Sequence, residues 1–208
     1  MLASSYSGIL VVFSLIVAVL ASYTALNMAG RVASTRGRAS ALWLIGGSVA
    51  MGFGIWSMHF VGMLAFRLPI AVGYDLGLTT LSLVIAVVSS AFALWLVCLA
   101  ELPRRRLVGG AVLMGAGIAA MHYTGMAAMK MQPGVIYDPW LFAASVAIAV
   151  VASGAALWIA FRLRHDGERV VLARLGASLV MGCAIVGMHY TGMAASRFPL
   201  GSWCGAAN

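Results

Sequence analysis

Apolar and polar positions divide the chain into six long hydrophobic stretches joined by short polar ones, at about 7–29, 41–66, 78–100, 107–131, 139–161 and 170–196. A bilayer core about 30 Å thick is crossed by about 20 helical residues, and every stretch reaches that length. A span must satisfy its own backbone polar groups. Barrel strands would be shorter and would alternate apolar with polar side chains, whereas these runs are continuously apolar. The pattern therefore predicts six transmembrane helices. The first run has no Lys or Arg before Arg31, so it lacks the basic start of a cleaved leader and is read as a true helix.

The even-numbered stretches repeat one another. Residues 51–63 read MGFGIWSMHFVGM, residues 114–126 read MGAGIAAMHYTGM and residues 181–193 read MGCAIVGMHYTGM, aligned without a gap at spacings of 63 and 67 residues. The odd stretches echo one another through S-x-x-A-L, at Ser22–Leu26, Ser90–Leu94 and Ser153–Leu157. A fixed period of this kind marks a structural repeat. The chain is predicted to be an all-α membrane protein, one domain over 1–208, built from three tandem two-helix units.

Composition agrees with lipid as the solvent. Of the 208 residues, 63% are hydrophobic and 9% charged, against about 25% charged in a soluble domain. That leaves no room for a separate soluble or catalytic domain. The net charge of +8 is topological. Arg31, Arg36, Arg38, Arg104, Arg105, Arg106, Arg162, Arg164, Arg169 and Arg174 lie in or beside the gaps 1–2, 3–4 and 5–6. They are ten of the 13 Lys and Arg residues; Arg67, Lys130 and Arg197 flank the other gaps and the C-terminal end. Basic residues confined to short interhelical gaps form no nucleic-acid face, and nucleic-acid binding is excluded. The positive-inside rule places the arginine-rich gaps in the cytoplasm. Both termini are then predicted outside, and the even helices run outward. Cys98, Cys183 and Cys204 show no disulfide spacing. Cys98 reads as a small apolar filler, and His165, in an arginine-rich gap, as an ordinary solvated residue.

Each motif pairs a histidine with a methionine four residues on: His59 with Met63, His122 with Met126, His189 with Met193. Residues at i and i+4 share a helix face. Met58, Met121 and Met188 precede the histidines, one heptad after Met51, Met114 and Met181. Counted from the inner helix ends, the histidines lie about 15 to 19 residues along, or about 22 to 28 Å up the core. All three stand at one level in the outer half, where polar groups need partners. Imidazole with thioether suits copper, Cu(I) in particular, and the lack of nearby carboxylates disfavours magnesium, calcium, manganese and non-haem iron. Zinc would call for more Cys or carboxylate, and the motif helices offer only Cys183. Tyr123 and Tyr190, with Phe60 at the equivalent place, and Thr124 and Thr191 are candidates for supporting hydrogen bonds around the ligands. Gly62, Gly125 and Gly192 allow close helix approach. A single transmembrane His, or a Met stripe, is ordinarily packing. Three copies at one depth favour a shared metal site over a structural or proton-relay role.

The strings Met121-His122-Tyr123-Thr124 and Met188-His189-Tyr190-Thr191, with the variant Met58-His59-Phe60-Val61, resemble the MHYT-domain family of bacterial membrane sensors. The likeness covers essentially the whole chain. It implies an integral sensor of the bacterial inner membrane; separately, the sequence shows no nucleophile, paired carboxylate or nucleotide loop, so no enzymatic activity is expected. The likeness further implies copper, as Cu(I) or Cu(II), held by the Met and His residues, and sensing of a diatomic gas (O2, CO or NO) or of redox state. Family members are often fused to cyclic-di-GMP or histidine-kinase modules through a seventh helix. This sequence stops shortly after the sixth stretch, which leaves two expectations open: a standalone member signalling through a separate output protein, or a piece of a longer chain. Alternatives are a copper transport or delivery protein, a b-type haem protein with axial histidines, or a structural membrane subunit.

Overall fold

Six helices are strung in an order that places every loop at one of two ends. The computed structural model describes residues 1–165, 167 and 170–206. The helices are α1 (Gly8–Ser34), α2 (Gly37–Ala65), α3 (Leu76–Val97), α4 (Arg104–Ala127), α5 (Pro139–Arg162) and α6 (Val170–Ala195). All six are long and apolar enough to cross a membrane. Each packs mainly on its chain neighbours, and α6 closes back on α1, forming a ring of six. The expected helices are therefore all present, with ends displaced by a few residues. Hydropathy marks the apolar interior of a helix, whereas hydrogen bonding carries α1 and α2 on into polar turns that hold Arg31, Arg38 and Ser40. Of the ten basic residues used to orient the chain, Arg169 lies outside the described residues.

Burial is the reverse of a soluble protein's. Large apolar side chains such as Leu42, Leu76, Trp140 and Val151 stand exposed around the circumference, while serines and histidines fill the interior. In lipid an apolar exterior costs nothing, and polar side chains are driven inward to find partners.

Two devices hold the ring. The first is close helix approach at the glycine that opens each motif. A Cβ on Gly52 would lie 2.6 Å from the Val87 Cα of α3, one on Gly115 2.6 Å from the Val150 Cα of α5, and one on Gly182 2.7 Å from Val19 Cγ2 of α1. The second is a set of ties at the ends. At one end Arg164 donates to the carbonyls of Val97 (2.7 Å), Leu99 (2.6 Å) and Ala100 (3.2 Å), and Arg174 donates to that of Leu163 (2.8 Å). These guanidiniums satisfy carbonyls left over at helix C-termini. At the other end the repeat recurs in the backbone. The amides of Ser7, Asp75 and Asp138 donate to the carbonyls of Ala65 (2.9 Å), Ala128 (2.8 Å) and Ala195 (2.8 Å). Short antiparallel strand pairs lie alongside: β1 (Ser5–Tyr6) with β2 (Phe66–Arg67), β3 (Met131–Gln132) with β6 (Trp203–Cys204), and β4 (Ile136–Tyr137) with β5 (Ser196–Arg197).

Asp75 and Asp138 cap the N-termini of α3 and α5, accepting from Leu78 N (2.9 Å) and from Trp140 N (3.1 Å). Each also takes a cation, Lys130 on Asp75 and Arg197 on Asp138.

Candidate metal centre

The three motif histidines meet at the axis of the ring. His59, His122 and His189 are completely buried. Nδ1 of His59 lies 3.1 Å from Nδ1 of His122 and 3.2 Å from Nδ1 of His189. The rings stand nearly perpendicular to one another, at 77° to 88°, with centroids 4.9 to 5.1 Å apart. One helix face from each repeat supplies one imidazole, so threefold repetition in the sequence becomes a three-nitrogen cluster in space.

The glycine three residues after each histidine explains how the rings fit. A Cβ at Gly125 would lie 2.2 Å from Nε2 of His59, one at Gly192 2.4 Å from Nε2 of His122, and one at Gly62 2.3 Å from Nε2 of His189. Each imidazole is thus seated on the glycine of a neighbouring motif helix, in a cycle 59→125, 122→192, 189→62. The glycine backbone locks the ring with Nδ1 turned to the axis. All three Nε2 atoms are buried without a hydrogen-bond partner.

Hydrogen bonding alone serves this arrangement poorly. A neutral imidazole nitrogen is either a donor or an acceptor. With three Nδ1 atoms and two states, at least two must be of the same kind. An ion satisfies all three at once by taking three lone pairs. First-row ions bind imidazole nitrogen at about 2.0–2.1 Å, which spaces two such ligand atoms about 3.3–3.6 Å apart. The observed separations of 3.1 and 3.2 Å need only a slight expansion. Among the described residues, these three histidines form a group of side chains able to hold a metal ion.

The methionines fall into two sets. Met63, Met126 and Met193, one turn beyond the histidines, join Met129, Met131, Phe198 and Cys204 in one buried cluster on the side of the strand pairs. Six of its seven members carry sulfur. Met58, Met121 and Met188 are each at most 2% exposed beside the imidazoles.

The aromatic residues after the histidines stand edge-on to them, at centroid distances of 5.0 Å for Phe60, 4.8 Å for Tyr123 and 4.9 Å for Tyr190. Their polar ends reach outward to the odd helices. Tyr123 Oη lies 2.6 Å from Ser145 Oγ, and Tyr190 Oη 3.1 Å from Ser14 Oγ. In the first repeat Phe60 has no hydroxyl, and Trp56, one turn earlier, donates its indole N–H to Ser82 Oγ (3.0 Å) instead. Thr191 Oγ1 bonds back to Gly187 O (2.7 Å), and Thr124 occupies the matching place on α4. An outer tier caps these rings: Tyr6 against Tyr190, Tyr74 against Phe60 and Tyr137 against Tyr123, at 5.6, 5.3 and 5.3 Å. Burial pushes the Tyr74 and Tyr137 phenols up to about 12, so both stay neutral.

Ser14, Ser82, Ser145, Trp56 and the Tyr6, Tyr74, Tyr137 tier lie outside the candidate residues that the motifs mark. The sequence does carry a signal: each serine lies eight residues before the serine of S-x-x-A-L, and each tyrosine stands two residues before the first residue of an odd helix.

Three consecutive stretches, residues 52–110, 115–173 and 182–207, match the MHYT family, described as a bacterial signalling protein N-terminal repeat. The chain belongs to the MHYT family. It is 74% identical over 207 residues to the bifunctional diguanylate cyclase/cyclic di-GMP phosphodiesterase MucR of Pseudomonas aeruginosa, a match covering 100% of this chain and 30% of that protein. It is 45% identical over 192 residues to the cyclic di-GMP phosphodiesterase NbdA of the same organism, covering 92% of the chain and 24% of the relative. It is 42% identical over 197 residues to the signaling protein YkoW of Bacillus subtilis, covering 93% and 24%. The MHYT chain thus spans a third or less of the length of these relatives. No solved structure matches it.

Proposed function

We propose that this MHYT domain is a sensory module of the bacterial inner membrane that holds one copper ion on His59, His122 and His189. The observation that carries the reading is the convergence of three buried imidazoles, with Nδ1 of His59 3.1 Å from that of His122 and 3.2 Å from that of His189, and ligand nitrogens of all three within 4.8 Å of one another. Copper supplies redox chemistry and affinity for diatomic gases, and the signals proposed are O2, CO, NO or redox state. Met63, Met126 and Met193 are the next candidate ligands, with Met58, Met121 and Met188 after them. Tyr123, Tyr190, Thr124 and Thr191 support the ligand helices.

Charge favours Cu(I) over zinc. The described cluster contains no anionic side chain, and a monovalent ion on neutral ligands is cheaper to bury than a divalent one. A haem would need a porphyrin disc between axial imidazoles, and nitrogens this close leave no slot for one. Signal transfer requires the bound and free states to favour different packings of the three repeats. Glycine-seated imidazoles couple each repeat to a neighbour at the axis. The proposed output is a signalling activity such as cyclic-di-GMP turnover, which MucR and NbdA carry in their names. It would act through a further part of the chain or a separate protein, and this domain would have no catalysis of its own.

Competition against a Cu(I) chelator tests the reading. Wild type should retain copper, each single His→Ala variant should lose most of it, and Met63→Leu should lose less. Equal retention by all would refute the ligand set. Copper uptake by proteoliposomes would instead favour a transport or delivery role.

A further inference from the structure

Toward the arginine end, beginning one helical turn from the imidazole layer, the axis of the ring does not pack solid. Four residues before each histidine stands an isoleucine, Ile55, Ile118 or Ile185, and four before that a methionine, Met51, Met114 or Met181. These are successive turns of one face, each about 6 Å further along the axis. All six side chains line a single cavity of about 50 Å³, walled by alanines and serines of α1 and α5. The opposite face of the imidazoles is closed by Met63, Met126 and Met193 in their sulfur-rich cluster.

We propose that this cavity is a binding chamber for one small neutral molecule of diatomic size, lying on the axis one helical turn or more from the three imidazoles on their arginine side. The inference deepens the sensor reading by giving its ligand a location and a chemical class. Size sets the first limit: a water-sized probe needs about 10–15 Å³ of such volume, so the space takes a molecule of a few atoms at most. Charge sets the second. No charged side chain lines the cavity, and an ion there would be left uncompensated.

Two hydroxyls set the third limit. Ser22 and Ser153 line the cavity, and their Oγ atoms are fully buried with no hydrogen-bond partner, as is Oγ of their counterpart Ser90. A serine inside a helix ordinarily bonds to a carbonyl one turn back. Ser14, Ser82, Ser145 and Ser178 do so, at 2.7 to 2.8 Å. Ser22 and Ser153 make no such bond and stand in the cavity wall. An ordered water makes about three hydrogen bonds on average, and a water reaching both hydroxyls would have only two, because alanine, isoleucine and methionine supply no other partner. The lining suits a weakly accepting neutral diatomic better. Such a molecule dissolves in lipid and needs no aqueous channel.

Xenon is the probe, because it is neutral and enters apolar cavities. The whole chain, metal-free in lipid nanodiscs, is labelled at methionine methyl groups and observed by NMR under rising xenon pressure. Signals of Met51, Met114 and Met181 should shift saturably, and those of Met63, Met126 and Met193 should stay. The shifts should vanish in Ala152→Leu or Ile118→Phe, which fill the space, and persist in Ser153→Ala, which does not. Xenon shifts that are absent in wild type, or equal at both methionine tiers, overturn the chamber. The xenon arm uses no copper, so failure of the chain to retain copper would defeat the metal reading while leaving the chamber standing.

Discussion

Gly125 lacks a Cβ because an imidazole from another helix lies where that atom would stand, with Nε2 of His59 at 2.2 Å. A ring seated on backbone cannot be displaced by a rotamer change of its neighbour. Gly125→Ala should therefore disturb His59 on α2 more than His122 on its own helix. Gly192→Ala should reach His122, and Gly62→Ala should reach His189. Side-chain imidazole NMR of the three variants reads this directly, and a perturbation confined to the mutated helix would refute the cyclic seating. The serine contacts work at the same scale. Tyr123 reaches Ser145 and Trp56 reaches Ser82, so two different side chains do one job in two repeats. Tyr123→Phe and Trp56→Phe should each lower unfolding stability by about 1 kcal/mol, measured by denaturant titration in detergent. Had Phe60 been read with Trp56 one turn before it, this substitution of indole for phenol could have been found in the sequence.

Helices in this fold approach one another at backbone distance. Gly52, Gly115 and Gly182 sit against Val87, Val150 and Val19, with Cα or N atoms among the near neighbours. Backbone cannot yield as a flexible side chain does, so Gly115→Leu should cost about 1–3 kcal/mol and separate α4 from α5. The helix ends are a second matter. The Lys130 ammonium, bonded to Asp75, and the Leu78 amide hold the Asp75 carboxyl below its ordinary value of 3.8. A depressed carboxyl stabilises fully above that ordinary value, and its contribution disappears as pH falls through the lower folded-state value. Asp75→Asn should lower Tm at neutral pH, and the gap from wild type should close as the medium is acidified below 3.8. A gap independent of pH would show that the pair contributes nothing. Hydropathy located all six helices but not their ends. Caps such as Asp75 and Asp138, and the carbonyl ties of Arg164, depend on which residues meet in space. The arginines were legible as residues of the gaps between helices, while their role as helix caps was not.

At the scale of the whole molecule, threefold repetition generates the site. No single motif could assemble three nitrogens, and the ring order that closes α6 on α1 brings the even helices to one axis. That the histidines share a depth was legible from the aligned motifs; that they meet through Nδ1 was not. The choice of nitrogen follows from the glycine seats: the motifs mark Gly62, Gly125 and Gly192 as points of close helix approach, but each seats the imidazole of another repeat, a pairing that no local string shows. The axial cavity was equally hidden, because Ile55 and Met51 look like ordinary apolar positions until all three repeats are placed around them. Elemental analysis of the purified chain after anaerobic reconstitution with Cu(I) tests the central claim most directly, with wild type set beside the variant carrying His59→Ala, His122→Ala and His189→Ala. One copper per chain in wild type and background copper in the variant is the predicted result. Background copper in both, or equal copper in both, would contradict a copper centre on the three imidazoles.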